Sequence, residues 1–544
     1  MSSGSLALIL HAHLPFVRHP EHEHFLEEDW FFEALTESYV PLLRMMQGLT
    51  EDRVPFKLTM SLTPTLCAML QDELLSERYV RHLDLLIDLA ARERKRNRNH
   101  QQLRELADFY FKIFCETRRF FVDECRSDLL ASFRELRERG GLEIIASAAT
   151  HGLLPLLQEP VTAEGADLGV SAFASSAPRS TPPATAARAQ ILIGRDIYVD
   201  LFGAEPAGFW LPECAYAPGL ESILQEANIR WFVLDTHGLL FAKPRPRRSI
   251  YAPCYSPPGP AAFARDHNSS RQVWSAQGGY PGDPAYREFY RDVGFDLPLE
   301  HLGPAAHGTR KFSGVKYHRI TGRVDEKELY DPVAAERVAE TQALHFIEER
   351  RRQIREVRGF DPVVVVPFDA ELFGHWWFEG PRFLEQLIRQ AATERDFRLS
   401  TPSEYLAANP TQQIIEPAAS TWGENGYFDV WLNPSNAWIY PRLHIAAQRM
   451  SEVARRHAEG CSAHADRVLK QLARELLLAQ SSDWAFLMKT GTAHEYATKR
   501  TTDHLARFNR LHDQLVANSM DEEFLRECES RDNLFPNVNW RYYV

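Results

Sequence analysis

The chain reads as an α/β protein, a (β/α) barrel carrying a helical insertion and a helical C-terminal part, and three observations lead to that class. Short apolar runs recur between helix-length segments from Leu6 to Pro367. One interval between two such runs is wholly helical in character, and beyond about residue 410 the runs stop while amphipathic periodicity continues. Strands covered on both faces read as unbroken apolar runs, and parallel strands need helical crossovers between them, so alternation of the two implies a parallel sheet. In a barrel built that way the chemistry sits on the loops at the C-terminal strand ends.

Residues 6–10 are the natural first strand and residues 56–62 the second, with further strands expected at 142–146, 208–211, 231–234 and 363–367. Residues 65–139 mix apolar positions at three-to-four spacing with dense charge, which predicts helices inserted between two strands. The barrel is therefore assigned to residues 1–64 and 140–409, the insertion to 65–139 and the helical C-terminal domain to 410–544. Two segments break the pattern. Residues 161–187, containing SAFASSAPRSTPPATAA, are too poor in large apolar side chains to fold alone and are expected to form a mobile surface loop. Residues 243–260, KPRPRRSIYAPCYSPPGP, are proline-dense and basic, which predicts an extended, exposed segment able to act as a lid.

At 544 residues, 44% hydrophobic and 11% aromatic, the chain can build several cores without staples. Its 62 basic and 74 acidic residues give a net charge of −12, which argues against general polyanion binding and removes nucleic acid as an expected partner. Seven scattered cysteines, odd in number and never spaced CxxC, fit neither a disulfide framework nor a thiolate zinc site and suggest a reducing compartment. No basic leader precedes an apolar core, and nowhere do eighteen apolar residues follow one another. A cytoplasmic protein with no membrane partner is the expectation; oligomeric state is not legible.

Two carboxylates stand out. Glu213 lies in GFWLPECAY (208–216) and Asp369 in VVVVPFDAELFGHWWFEGP (363–381), each ending an apolar run and each wrapped in aromatics. Aromatic faces stack on the C–H faces of pyranose rings, and a pair of carboxylates can divide nucleophilic attack and proton transfer between them. Taken alone, Glu213 also suits a capping or ion-paired glutamate. Asp369 follows four valines, and a charge there is costly unless it is paired or opens on a barrel mouth. His11 and His13, two apart in LILHAHLPF, share one face of a strand. A metal pair, imidazoles that bind sugar hydroxyls and structural histidines all fit that spacing, although no HExxH or fixed-spacing acidic partner accompanies them. His151 in SAATHGLLP is a strand-end histidine that would face a ligand.

Together HAHLPF (11–16), ATHG (149–152), GFWLPECAY, QVWSAQGGYPGDPAYREFYRD (272–292), PFDAELFGHWWFEG (367–380) and SSDWAFLMKTGTA (481–493) resemble glycoside hydrolase family 57, in particular its 1,4-α-glucan branching enzymes. The resemblance implies an incomplete seven-stranded (β/α) barrel with an inserted helical domain and a C-terminal all-helical domain. It implies Glu213 as nucleophile and Asp369 as general acid/base, some 5–5.5 Å apart as retention requires. It implies no metal and no cofactor, with α-glucan as both donor and acceptor. His11, His13 and His151 would surround the reacting sugar, Trp274, Trp422 and Trp431 would line the donor and acceptor grooves, and Trp210 counts among the substrate contacts. A lid tyrosine would fall at Tyr251, with Tyr255, Arg247 and Arg248 as rival occupants of that position. An α-amylase or 4-α-glucanotransferase on the same scaffold is the alternative, and a metal-dependent deacetylase or a silent glycan-binding protein lies further off.

Overall fold

Nine strands are found in the computed structural model, which describes residues 4–158, 185–275, 278–324 and 326–544. They are β1 (Gly4–Ala12), β2 (Leu58–Leu62), β3 (Leu142–Ser147), β4 (Gly208–Trp210), β5 (Trp231–Leu234), β6 (Cys254–Tyr255), β7 (Ala261–Ala264), β8 (Val363–Asp369) and β9 (Phe397–Leu399). Among the described residues the pairing runs β7-β5-β4-β3-β2-β1-β8, all parallel, with β6 added antiparallel to β7 and β9 parallel to β1. These seven parallel strands curl until β7 and β8 meet, yet only one bridge, Arg265 to Val365, joins them, with the Asp266 N–H donating to the Val365 carbonyl at 2.8 Å. The barrel closes through that contact and not through a full ladder.

The alternation of side chains along each strand decides what points inward. Leu6, Leu8 and Leu10 of β1 and Val364, Val366 and Phe368 of β8 pack outward against the helices, whereas Ala7, Ile9, Val363 and Val365 join Trp210, Trp231 and Phe263 in a separate inner cluster. His11 and Asp369 continue the inward series on neighbouring strands and are register partners. The barrel interior therefore delivers a histidine and a carboxylate side by side at its C-terminal mouth.

Between β2 and β3 run the helices Glu73–Arg96, Gln101–Arg119 and Leu129–Glu138, the helical excursion anticipated above. Asp72 and Asp128 cap two of them with side-chain bonds to Leu75 N–H and Ala131 N–H, satisfying donors that the first helical turn leaves unpaired. The helices Ile439–His457, Ala463–Ala479, Ser482–Thr490 and His494–Val516 form the C-terminal bundle. Residues 410–438 differ from the expectation. They contain no α-helix, and Ile414, Glu416 and Ser420 bridge to Tyr255, Lys243 and Tyr216, so this stretch lies along the barrel before the bundle begins.

The two irregular segments also need correction. Residues 161–184 lie outside the described residues, but 185–187, read as the end of that loop, open the helix Thr185–Phe202. Residues 243–260 are not a free lid. Lys243 and Glu416 exchange backbone hydrogen bonds at 3.0 and 2.7 Å, Tyr255 N–H reaches Gln413 O at 2.8 Å, and Cys254–Tyr255 is strand β6. All seven cysteines are free thiols. Among the described residues no helix is long and apolar enough to cross a membrane.

Candidate active site

Strand β4 ends at Trp210, and the Leu211–Pro212 step, extended at Leu211, leads into a single 3-10 turn, Pro212–Cys214. Within it Glu213 adopts φ 62°, ψ 22°, a left-handed backbone that a non-glycine residue holds only when its surroundings enforce it. They do so from residues far along the chain: Trp422 N–H donates to the Glu213 carbonyl at 3.0 Å, and the Trp422 indole Nε1–H to carboxylate Oε2 at 2.8 Å. His151 is likewise left-handed, at φ 57°, and its carbonyl accepts from Ser482 N–H at 3.0 Å. Strained backbone at two adjoining turns is common where a side chain must be aimed for function.

A directed chain of hydrogen bonds reaches Glu213. His11 Nε2 and His151 Nε2 are 2.9 Å apart, His151 Nδ1 and Ser482 Oγ are 2.9 Å apart, and Ser482 Oγ donates to Glu213 Oε1 at 3.3 Å. A carboxylate only accepts, so the Ser482 proton points at Glu213, His151 Nδ1–H points at Ser482, and His151 Nε2 must accept from His11 Nε2–H. This leaves His11 Nδ1 as a lone pair with no partner, which agrees with its being buried and unbonded. Burial, then the neighbouring imidazoles His151 and His13, holds His11 well below the ordinary histidine range; burial and His13 do the same to His151. Both rings are neutral, as the chain of donors requires.

His13 is fixed separately. Its Nδ1 lies 3.0 Å from Thr63 Oγ1 and its Nε2 3.0 Å from Asp483 Oδ2, while its ring stacks on His151 at 3.8 Å between centroids. Although burial opposes ionisation of Asp483, the His13 ring and the Ser481 hydroxyl bring that carboxyl down to about 2. His13, His151 and Asp483 have donor atoms within 4.8 Å of one another, the sort of set that can ligate a metal. Each ring nitrogen of His13 and His151 already has a hydrogen-bond partner, however, and the stacked rings run parallel and do not converge on a point.

The second carboxylate has different company. Asp369 ends β8 in extended backbone, and among the described residues no group donates a hydrogen bond to its side chain. Two residues on, Glu371 accepts from the Tyr39 hydroxyl and, at 3.2 Å, from His13 N–H. Burial first and the Glu371 charge second push Asp369 up to about 8, with Arg265 opposing. Burial pushes Glu213 up to about 7 against the Trp422 hydrogen bond, and Asp369 adds to the rise. Burial likewise lifts Glu371 to about 7, with Tyr39 opposing. Three carboxyls thus compete for ionisation, and donors favour the charge on Glu213 and Glu371 over Asp369.

Not every expected contact survives. Trp210 has no exposed surface; it lies under His11, rings stacked at 4.7 Å, and edge-on to Trp422 at 5.0 Å, so it supports the site and offers a sugar nothing to stack on. Trp431 is also buried, its ring occupying the space where a side chain on Gly423 would project, and so braces the Trp422 loop from behind. Tyr251 is held at the wrong end of the barrel. Its carbonyl accepts from Val363 N–H, at the start of β8, and its hydroxyl accepts from Gln353. Six residues of strand separate that point from Asp369, about 20 Å. Tyr251 therefore cannot close over the mouth, and Tyr255, paired to Gln413 and with its hydroxyl on the Pro410 carbonyl, cannot either. Of the two arginine rivals, Arg248 stacks on Phe360 just before β8, on that same side, and Arg247 N–H donates to the Gln413 side chain at 2.8 Å. Trp274 is half exposed at the end of helix His267–Trp274, with no contact to the carboxylates, and Trp422 is the tryptophan that touches one. Ser482, Asp483, Glu371 and Tyr39 were missed. The first three lie inside motifs singled out in the sequence, but their partners are hundreds of residues away.

Residues 7–418 match the family model of glycosyl hydrolase family 57, and residues 442–543 match the model for the C-terminal region of 1,4-alpha-glucan branching enzymes. The chain belongs to glycosyl hydrolase family 57. A 1,4-alpha-glucan branching enzyme of Thermococcus kodakarensis is 32% identical over 579 residues, 99% of this chain and 78% of that protein. Among solved structures, a branching enzyme of this family from Pyrococcus horikoshii superposes with TM-score 0.86 at 34% identity, covering 99% of this chain and 97% of the other. A structure described as a novel alpha-amylase from Thermotoga maritima superposes with TM-score 0.88 at 41% identity, covering 99% of each chain. The incomplete seven-stranded barrel and helical C-terminal region seen here are those of the family-57 scaffold.

Proposed function

We propose that this chain is a retaining α-glucan transglycosylase, a 1,4-α-glucan branching enzyme, in which Glu213 is the nucleophile and Asp369 the general acid/base. The observation that carries the reading is the unequal setting of two carboxyls at one barrel mouth: indole and hydroxyl donors aim at Glu213, while Asp369 has an acidic neighbour and, among the described residues, no donor. Glu213 attacks the anomeric carbon of an α-1,4-linked glucose as Asp369 passes its proton to the departing O4, leaving a glucan chain esterified to Glu213. Asp369, now ionised, takes the proton of a 6-hydroxyl on an acceptor glucan, whose oxygen displaces Glu213. Two inversions retain the α configuration in the new 1,6 link.

His13 and the exposed part of Trp422 are the groups best placed to meet the reacting sugar, with His11 and His151 acting through the donor chain behind Glu213. Water competes as the acceptor, so the acceptor chain must win by position and by exclusion of solvent. The family resemblance to branching enzymes over nearly the whole chain supports transfer. The similarity to a protein described as an alpha-amylase favours the second reading, hydrolysis by the same pair. Incubation with amylose separates them: new α-1,6 protons by NMR, and chains released by a debranching enzyme, support branching, whereas reducing ends without new linkages mean an amylase.

A further inference from the structure

Beyond the catalytic pair, Trp376 of the loop that follows β8 joins aromatic rings from residues 289–312 in a cluster that no role above absorbs. Trp376 is 53% exposed, Tyr290 71% and Phe295 42%. Single exposed aromatics are ordinary, but these three are joined through Phe289 and Phe312. Trp376 stacks on Phe289 at 4.6 Å and 26°, Tyr290 meets Phe289 edge-on at 5.1 Å, and Phe312 links Phe289 to Phe295 at 5.3 and 5.0 Å.

The cluster is built rigidly. The buried Lys316 ammonium lies 4.1 Å from the Phe289 ring centre and 4.7 Å from that of Phe312, holding both from below by cation–π attraction. Gly374, at φ 114°, turns the chain so tightly against the Glu37 carbonyl that a Cβ there would lie 1.7 Å from its oxygen. On that turn His375 bonds Glu37 at 2.6 Å, and Trp376 N–H bonds the Glu371 carbonyl at 3.2 Å. Ordered backbone, buried charges and a tight glycine turn all serve to present one half-exposed indole.

We propose that Trp376 and Tyr290, backed by Phe289, form a secondary binding platform for the glucan chain, outside the subsite where the bond is broken. The inference rests on the α-glucan reading above and adds a second point of attachment to it. Continuity with the mouth argues for that occupant. Trp376 shares a loop with Asp369, and seven residues of chain limit their separation to about 25 Å, a span that several linked sugars cover. An exposed indole face on a fixed support suits the apolar face of a pyranose, and two such rings suit consecutive sugars of one chain. Long chains would then be preferred to short ones, because only they reach both the platform and the catalytic pair.

The test uses the full-length Glu213→Gln protein, which should hold substrate without turning it over, as the parent for Trp376→Ala and Tyr290→Ala. Affinity for amylose and for maltotriose is measured by titration calorimetry or electrophoresis in amylose gels, alongside solution mass and melting temperature. The platform predicts that each variant, melting like the parent, loses about tenfold in amylose affinity, the 1.4 kcal/mol equivalent, and less in maltotriose affinity. Unchanged amylose binding in both variants overturns it. A change of oligomeric mass with amylose affinity unchanged also overturns it, assigning the surface to self-association. A parent that binds no amylose at all refutes the α-glucan reading itself, an outcome distinct from failure of the platform alone.

Discussion

Glu213 and Asp369 stand at the ends of two strands of one barrel, both half-buried and both flanked by aromatics, yet their settings differ in the respect that matters for chemistry. Glu213 sits on a strained turn within reach of an indole N–H and a serine hydroxyl, groups that favour the charged form. Asp369 sits on regular extended backbone with no donor among the described residues and with Glu371 as an acidic neighbour, which favours the protonated form. In the proposed mechanism the first environment suits the nucleophile and the second the acid.

Removing each carboxylate in turn tests that division hardest. Both Glu213→Gln and Asp369→Asn should abolish or nearly abolish action on amylose, the acid/base variant losing about 10²–10⁴-fold. With an α-maltosyl fluoride, whose leaving group needs no proton, Asp369→Asn should still consume the donor and Glu213→Gln should not. Rescue of the opposite variant would reverse the assignment.

The donors come next. Trp422→Phe keeps the ring and deletes the N–H, so kcat/KM should fall by about 10- to 100-fold, the scale of a hydrogen bond to a charged group. The acid limb of the pH profile should move up as well, since Glu213 becomes harder to ionise. A limb that stays put means that the indole packs against Glu213 without tuning it.

Glu371 addresses the other side. Activity needs one carboxyl ionised and the other protonated, so kcat/KM should follow a bell with apparent values near 7 and 8 that belong to the coupled pair. Glu371→Gln removes the negative charge that opposes ionisation of Asp369. Its proton then leaves at lower pH, and the alkaline limb should shift down while the acid limb changes less. The smallest effect concerns metal: EDTA should leave the branching rate unaltered, and loss of activity restored by zinc would show that His13, His151 and Asp483 act as ligands.

The sequence was most legible where physics is local. Asp369 could be singled out because four valines and a Pro-Phe step cannot hide a carboxylate, and His11 and His13 could be placed on one face by strand alternation alone. Strands β6, β7 and β9 were not seen. The first is two residues long inside a proline-rich stretch, and besides the adjacent β7 it is held from near Gln413, more than 150 residues away. The same remoteness hid Ser482 and Asp483, which enter the mouth from the first turn of a helix in the C-terminal bundle. It also misplaced Tyr251, because nothing local to a basic, tyrosine-bearing loop reveals which end of a strand it is tied to. The family resemblance implies that Trp210 and Trp431 contact the sugar, whereas both are buried and brace their neighbours; from its motif alone Trp431 suits an interface anchor as well.

The central claim is that Glu213 bears the glycosyl group. Treating the enzyme with a 5-fluoro-α-glycosyl fluoride, which slows turnover of the covalent intermediate, followed by proteolysis and peptide mass spectrometry, locates the ester directly. The account predicts a single labelled peptide whose modified residue is Glu213. A label on Asp369 or Glu371, or inactivation without any label, contradicts it.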